Sequence, residues 1–394
     1  MVEKRRQEMK PLVSIGIPVT DRVDGLSLTI DSLLEQSHGK FEVLLVDDTD
    51  DEITSALCVD EAGRDTRVTY VKTPGHFGVL PSHSEALARS KGAYFMWLGV
   101  GDRLDRNFLE ICTNKMEERA DLSLAIGCPK PSKVEEDADQ SVINVSDGDP
   151  VRRVESFLES DIGLDLWYGL FRRPIVAAIP FRNAIGYEFA FLAEVAFAGK
   201  METVEGAWSD RNIQISAETA AVDAAKAEEV PHQQVDTLGV PAFQWGDPYL
   251  VLAAQLFCNI AFLSNNFASL PQIDRLRLAI RAYTQIADRW GISNEGQFIS
   301  FAVRIYPEAR ITDRLHELRL YLSELLFSQK HSKSFFEPLS GAEEIVNGLC
   351  RLKIGRLPPT QMEREIVSKI KTRFDATKSE NFKNRAILAL ALFL

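Results

Sequence analysis

Residues 12–51 read LVSIGIPVTDRVDGLSLTIDSLLEQSHGKFEVLLVDDTDD. Leu12 to Pro18 is a short apolar run ended by a proline. Leu26, Leu28, Ile30, Leu33 and Leu34 then recur in a helical pattern, and Phe41 to Val46 is a continuous β-rich run that stops in Asp47-Asp48-Thr49-Asp50-Asp51. Strand, helix, strand in that order is a parallel crossover unit, because parallel neighbours need a connection long enough to bring the chain back. The alternation continues with a helix around Ile53 to Ala62, a strand Val68 to Val71, a helix Ser82 to Ser90 and a strand Tyr94 to Leu98. The predicted architecture is an α/β sheet covered by helices on both faces.

The rest of the chain bounds what this sheet can belong to. At 394 residues the length calls for two or three domains. Hydrophobic residues at 45% and charged residues at 26% are those of a globular protein with a sizeable core. A net charge of −12 disfavours nucleic acid as a partner. The five cysteines, Cys58, Cys112, Cys128, Cys258 and Cys350, are scattered without a CxxC pair, which fits neither a disulfide framework nor a zinc ribbon and points to a reducing compartment. The apolar run before Pro18 is too short for a signal peptide, and the last apolar stretch, AILALALFL, is about half of what crosses a bilayer. A cytoplasmic protein is expected, with room for peripheral contact at the inner membrane face.

Ligands of open α/β sheets sit beyond the carboxyl ends of the strands. Three loops qualify: Pro18 to Asp24, Asp47 to Asp51, and Gly99 to Asp105. Two of them gather carboxylates, which repel one another unless a cation or a hydrogen-bonding ligand offsets the charge. Taken singly, each Asp also reads as a helix N-cap or a solvated turn.

With these residues in view, the first half of the chain resembles a family 2 glycosyltransferase of the GT-A fold. The stretch VSIGIPVTDRVDGLSLTIDSLLEQSHGKFEVLLVDDTDDE is similar to that family's first strand, first helix and "VDD" strand end. GHFGVLPSHSEALARSKGAYFMWLGVGDRLDRNFLE is similar to its next helix, "KGEY" turn, strand and metal loop. The resemblance implies a GT-A domain over residues 11–206. Residues 11–110 would form its nucleotide-sugar half and residues 111–206 its acceptor half, with a mobile acidic insertion near 129–150. A linker at 207–243 and an all-α C-terminal domain at 244–394 would follow.

It also implies an activity, the inverting transfer of a sugar from a nucleotide-diphosphate donor to a hydroxyl of a glycan or lipid-linked acceptor. By the resemblance, Asp48 contacts the base, with Asp47 beside it and Pro18 and Thr20 on the first loop. The family's "DxD" loop, which holds Mg²⁺ or Mn²⁺ on the diphosphate, falls on Gly99-Val100-Gly101-Asp102, leaving Asp102 as the one carboxylate. The family's third metal ligand, a histidine, has no counterpart between His83 and His232. His83 stands where relatives often carry an arginine facing the donor; the alternatives for it are a helix cap or a surface group. Counting back from the helix end at Ala196 to Gly199, the catalytic base falls on Glu188, while Glu194 reads as a helix-face charge. Trp167 and Tyr168 are candidates for stacking on an acceptor sugar, against core packing; Trp97 reads as core.

Two rivals remain. Gly99-x-Gly101 invites a dinucleotide-binding reading, but its third glycine position is Leu104, where a side chain would obstruct helix-to-strand packing. The stronger rival is a catalytically impaired GT-A domain that binds a nucleotide sugar or glycan, or acts as a scaffold. In the C-terminal region, Tyr249 to Phe267 and Ile311 to Leu326 read as amphipathic helices. Arg275, Arg277, Arg281 and Arg289 read as a locally basic face, solvated or set against anionic lipid.

Overall fold

A computed structural model describes residues 11–20, 23–75, 78–129, 144–160, 164–182, 184–210 and 248–290, with four helical positions between 364 and 372. The chain divides into two compact units, Met1–Gly246 and Asp247–Leu394.

The first unit opens as its sequence pattern requires, with β1 (Val13–Val19), α1 (Leu26–Leu34), β2 (Phe41–Asp47), α2 (Glu52–Gly63), β3 (Val68–Lys72), α3 (Val79–Arg89) and β4 (Tyr94–Trp97). It continues with β5 (Arg103–Leu104), α4 (Phe108–Glu118), β6 (Leu122–Pro129), β7 (Asn144–Val145), α5 (Pro150–Glu159) and a 3₁₀ turn at Leu164–Tyr168. It ends in β8 (Leu170–Arg172), α6 (Arg173–Val176), α7 (Tyr187–Ala198) and β9 (Lys200–Asp210). The strands form one mixed sheet in the order β3-β2-β1-β4-β8-β6-β9-β5, with β7 on β9. β3, β2, β1 and β4 are parallel, and β8 runs antiparallel between β4 and β6.

Alternation along the strands assigns the two faces. Val13, Ile15, Ile17 and Val19 of β1 share one core with Leu26, Ile30 and Leu33 of α1 and with Phe108, Leu109, Cys112 and Met116 of α4. On the other face, Phe95 and Trp97 lie edge to face at 4.8 Å, and Trp97 meets Phe191 of α7 at 5.7 Å. Both faces are therefore covered, and a sheet buried on both sides explains why β2 reads as an unbroken apolar run rather than an alternating one.

The sheet order fixes where a ligand can enter. From β1 the chain builds outward through β2 to β3, then crosses to the other side of β1 for β4. The point of reversal lies between β1 and β4, where open α/β sheets hold their ligands. The two strands pair only as far as Gly16 with Trp97, followed by a last bond from the Leu98 amide to the Gly16 carbonyl at 3.0 Å. Pro18, without an N–H, sits where nothing on the β4 side asks for one.

Two boundaries differ from the sequence reading. β9 runs through Ser209 and Asp210, so the sheet extends past residue 206 into the stretch expected to be linker. Asn144 and Val145 pair with β9, and Asp149 caps α5 by accepting from the Val151 amide at 2.7 Å, so the end of the acidic segment is ordered framework. Residues 130–143 lie outside the described residues.

In the second unit, α8 (Pro248–Cys258) continues into a π-helical turn at Asn259–Leu263 and is followed by α9 (Gln272–Trp290). Arg275 and Arg277 of the expected basic face point apart. Side chains two apart on a helix point about 200° from each other, which separates Arg275 from Arg277. Arg275 is also spent on structure, donating to the Ile260 and Ser264 carbonyls at 3.0 and 3.3 Å, and Arg277 pairs with Asp274 at 2.9 Å. No helix among the described residues is long and apolar enough to cross a membrane. The expected helix at Ile311 to Leu326 lies outside the described residues.

Candidate active site

The loops that leave β1, β2, β3 and β4 at their carboxyl ends are tied to one another. The Asp48 amide donates to the Val19 carbonyl at 2.9 Å, and the Thr73 amide to the Asp47 carbonyl at 3.0 Å. Asp48 is 1% exposed. Its Oδ2 accepts from the Gly78 amide at 2.6 Å, and its Oδ1 is within hydrogen-bonding reach of the Thr73 hydroxyl. Gly78 can turn its amide there because it holds φ near +96°, which a residue with a side chain rarely adopts. The carboxylate is thus pinned from both ends of the loop between β3 and α3, which the sequence reading had not marked; its one signal was position, immediately after β3 and immediately before α3.

Asp47 does something different from its neighbour. Fully buried, it receives the Thr49 amide and hydroxyl, the Ser55 hydroxyl, the Tyr70 hydroxyl and the Lys72 ammonium, all between 2.6 and 3.1 Å. Burial alone would raise its pKa, but the hydrogen bonds from Ser55, Thr49 and Tyr70 together outweigh it and hold the carboxyl below the usual range. Asp47 is therefore an internal anchor of the β2 end, and the expectation that it touches a nucleotide sugar gives way to that role.

The loop after β4 is held just as firmly. Gly25 and Gly101 pack backbone to backbone: a Cβ on Gly25 would stand 2.9 Å from the Gly101 Cα. The Gly101 amide donates to the Thr29 hydroxyl at 2.8 Å, which ties this loop to α1. Asp102, 5% exposed, turns back onto its own loop, its Oδ2 accepting from the Gly99 amide at 3.1 Å while its own amide donates to the Gly99 carbonyl at 3.2 Å. Pro18 and Thr20 are half-buried at the end of β1, on the same edge.

Glu188 and Glu194 lie on α7, which is buried along nearly its whole length. Glu188 is 3% exposed in the first turn. Glu194 is equally buried, so it is not the solvated helix-face charge that its spacing implied. The start of α7 reaches the sheet through aromatic rings. Tyr187 packs on Phe181 at 4.9 Å and on Trp167 at 6.4 Å, and Trp167 stacks on Trp97 at 4.2 Å with the planes 5° apart. Trp97 is the last residue of β4, so this cluster joins the Glu188 end of α7 to the strand from which the Asp102 loop departs.

The same cluster surrounds Trp167 and His83. Trp167 is buried, with Trp97 on one face and Phe191 edge-on at 5.0 Å; it offers no face to a sugar and is core. Tyr168 beside it is half-buried. His83 is neither a cap nor a surface group: it is buried against Trp97 and Trp167 at 5.7 and 5.6 Å, with Nδ1 2.8 Å from the Val79 carbonyl. Burial pushes its pKa down to about 4, only partly countered by that carbonyl, so the ring is neutral near pH 7. Since a carbonyl can only accept, Nδ1 carries the proton and Nε2 is left as a lone-pair acceptor. His83 does not replace the positive charge of an arginine.

The expected Mg²⁺ or Mn²⁺ finds little here. Among the described residues no three His, Cys, Asp or Glu side chains come together as a metal site, and Asp102 is turned onto its own loop. A side chain at 99 would place its Cβ 2.9 Å from Asp102 Oδ2, and Gly101 holds φ near +90°, so neither position readily regains a carboxylate. The residues present do not fit a preformed divalent-cation site. Cys58, Cys112, Cys128 and Cys258 are buried free thiols, and burial raises Cys58 to about 12, which leaves it unreactive.

Comparison with known proteins bears on the same region. Residues 14–160 match the model of glycosyl transferase family 2. A Bacillus subtilis (strain 168) glycosyltransferase, TuaG, provisionally assigned to teichuronic acid biosynthesis, is 31% identical over 111 residues, which cover 28% of this chain and 44% of that protein. Glycosyltransferase GlyG of Streptococcus pneumoniae serotype 4 is 23% identical over 119 residues, 30% of this chain and 39% of that one. The match thus spans less than half the length of these relatives. The crystal structure of S. aureus TarS 1-349 aligns with 97% of this chain and 91% of its own at 13% identity and a TM-score of 0.47. Over residues 14–160, which carry β1 to β7 and the tied loops, the chain is thus similar to glycosyl transferase family 2.

Proposed function

We propose that the chain is an inverting glycosyltransferase that moves a sugar from a nucleoside-diphosphate donor to a hydroxyl acceptor at the crevice between β1 and β4. The observation that carries this reading is the family match over residues 14–160, laid on a sheet whose reversal point lies between the loops bearing Asp48 and Asp102. Asp48, already oriented by Thr73 and Gly78, presents its carboxylate to the N–H groups of the base. Pro18 and Thr20 line the β1 side, and Asp102 shapes the loop that faces the diphosphate.

Transfer is a single displacement. Glu188 accepts the proton of the acceptor hydroxyl as its oxygen bonds to the anomeric carbon. The bond from that carbon to the diphosphate breaks with its electron pair going to the leaving oxygen, and configuration inverts. Burial of Glu188 among Tyr187, Phe191 and their neighbours keeps water from competing with the acceptor. The assignment of the B. subtilis relative to teichuronic acid biosynthesis supports a glycan, free or lipid-linked, as acceptor.

The turned-in Asp102 and the glycines at 99 and 101 favour one alternative, a domain that binds the donor or a glycan without catalysing transfer. Nucleoside-diphosphate release, measured across several sugar donors with the full chain and with Glu188→Gln, separates the two. Transfer chemistry predicts that the variant loses about 10²- to 10⁴-fold in kcat with little change in the donor KM. A native chain as inert as the variant with every donor would leave the binding reading in place.

A further inference from the structure

We infer that Thr73 is a positioning residue for the donor's base, holding Asp48 as a hydrogen-bond acceptor and so selecting bases that carry a ring N–H; this rests on the donor-binding reading above. Thr73 follows β3 directly, and its amide donates to the Asp47 carbonyl at 3.0 Å, which carries the β2–β3 ladder one residue past the strand. Its side chain therefore starts from a fixed backbone, and branching at Cβ narrows its rotamers further. The hydroxyl lies within reach of three oxygens: Asp48 Oδ1, the Gly75 carbonyl at 2.8 Å and the Asp47 carbonyl at 3.3 Å. It has one hydrogen to give, and a carboxylate is a stronger acceptor than either carbonyl.

A second donor, the Gly78 amide, reaches Oδ2 at 2.6 Å from the other end of the same loop. Gly78 gives a backbone group whereas Thr73 gives a side chain, so the identity of residue 73 decides whether Oδ1 is held. With a donor on each oxygen, Asp48 turns lone pairs towards a ligand, and each oxygen has capacity for one more donor. Uracil and guanine carry an N–H at the ring position where cytosine and adenine carry a lone pair. A carboxylate fixed in this way attracts the first two and repels the others, and a site built around such a bond discriminates strongly against an analogue that lacks it. Removing the hydroxyl frees Asp48 to turn about its last bond, and selectivity falls with the lost orientation.

Calorimetric titration of the full chain with uridine, guanosine, cytidine and adenosine diphosphates tests this without relying on turnover. The native chain is expected to bind uridine or guanosine diphosphate at least about tenfold more tightly than the other two. Thr73→Val, which keeps the shape and removes the hydroxyl, should weaken the preferred nucleotide about tenfold and the disfavoured ones less than about twofold, with Thr73→Ser close to native. Because Thr73 acts through Asp48, Thr73→Val combined with Asp48→Asn should bind no more weakly than Asp48→Asn alone. Circular dichroism and thermal unfolding verify that the variants remain folded. Equal weakening of all the nucleotides, no weakening, or additive losses in the double variant would overturn the inference while leaving the donor-binding reading intact. So would a native chain that lacks the stated preference. Absence of binding by every nucleotide would overturn both this inference and the function on which it rests.

Discussion

Asp47 and Asp48 are consecutive carboxylates with opposite tasks, and the difference lies in where the pleat sends them. Asp47, still in β2, points into a ring of donors; Asp48, one residue on, is held by both ends of the β3–α3 loop. Replacing Asp47 by Asn removes the buried Oδ2 acceptor shared by Ser55, Tyr70 and Lys72 and is expected to cost about 2–3 kcal/mol in chemical denaturation. Because its folded pKa is depressed, its contribution is complete above the unfolded value and is lost as pH falls through the folded one. Stability should therefore start to fall below about pH 4, less so in Asp47→Asn. His83 gives a second, separable slope. Its pKa is also depressed, here against a cationic form, so acidification from about 6.5 towards 4 favours the unfolded chain; His83→Gln should flatten stability over that range in a pH series of thermal melts. Of these roles, the sequence made Asp48 legible through its place at a strand end. It hid the roles of Asp47, His83 and Trp167, because exposure depends on partners such as Tyr70, Lys72 and Trp97 that come from other elements.

At the scale of elements, the parallel half of the sheet was readable because each strand there is a short apolar run punctuated by an acidic or glycine turn. α6 was not, since a four-residue element carries no period of its own. α7 was partly readable: its helical character was evident, but a helix buried on every side has no polar stripe, and Glu194 passed for a solvated face. Its position depends on a residue that the sequence reading passed over. Arg153 of α5 is buried and donates to the Ala196 and Phe197 carbonyls at 2.8 and 2.7 Å, closing the C-terminal end of α7, and to the Asp147 and Gly148 carbonyls at 3.0 and 3.2 Å. Four carbonyls lose their donor in Arg153→Ala, so a cost of about 3 kcal/mol is expected in urea denaturation. Arg153→Lys should recover only part of it, having one ammonium in place of a fork.

Across the whole molecule, the strand-helix alternation that predicted the sheet is of a piece with the family match over residues 14–160. Where the resemblance sets the metal loop, Gly99 and Gly101 stand in place of carboxylates. In the helical unit, Arg275 is spent on the Ile260 and Ser264 carbonyls and Arg277 on Asp274. What unites the account is one position, the crevice at the reversal point between β1 and β4. A crystal structure of the chain soaked with uridine diphosphate tests it most directly. The account predicts the base within hydrogen-bonding distance of Asp48 and the diphosphate beside the Gly99–Asp102 loop, whereas a nucleotide bound on any other surface would contradict it.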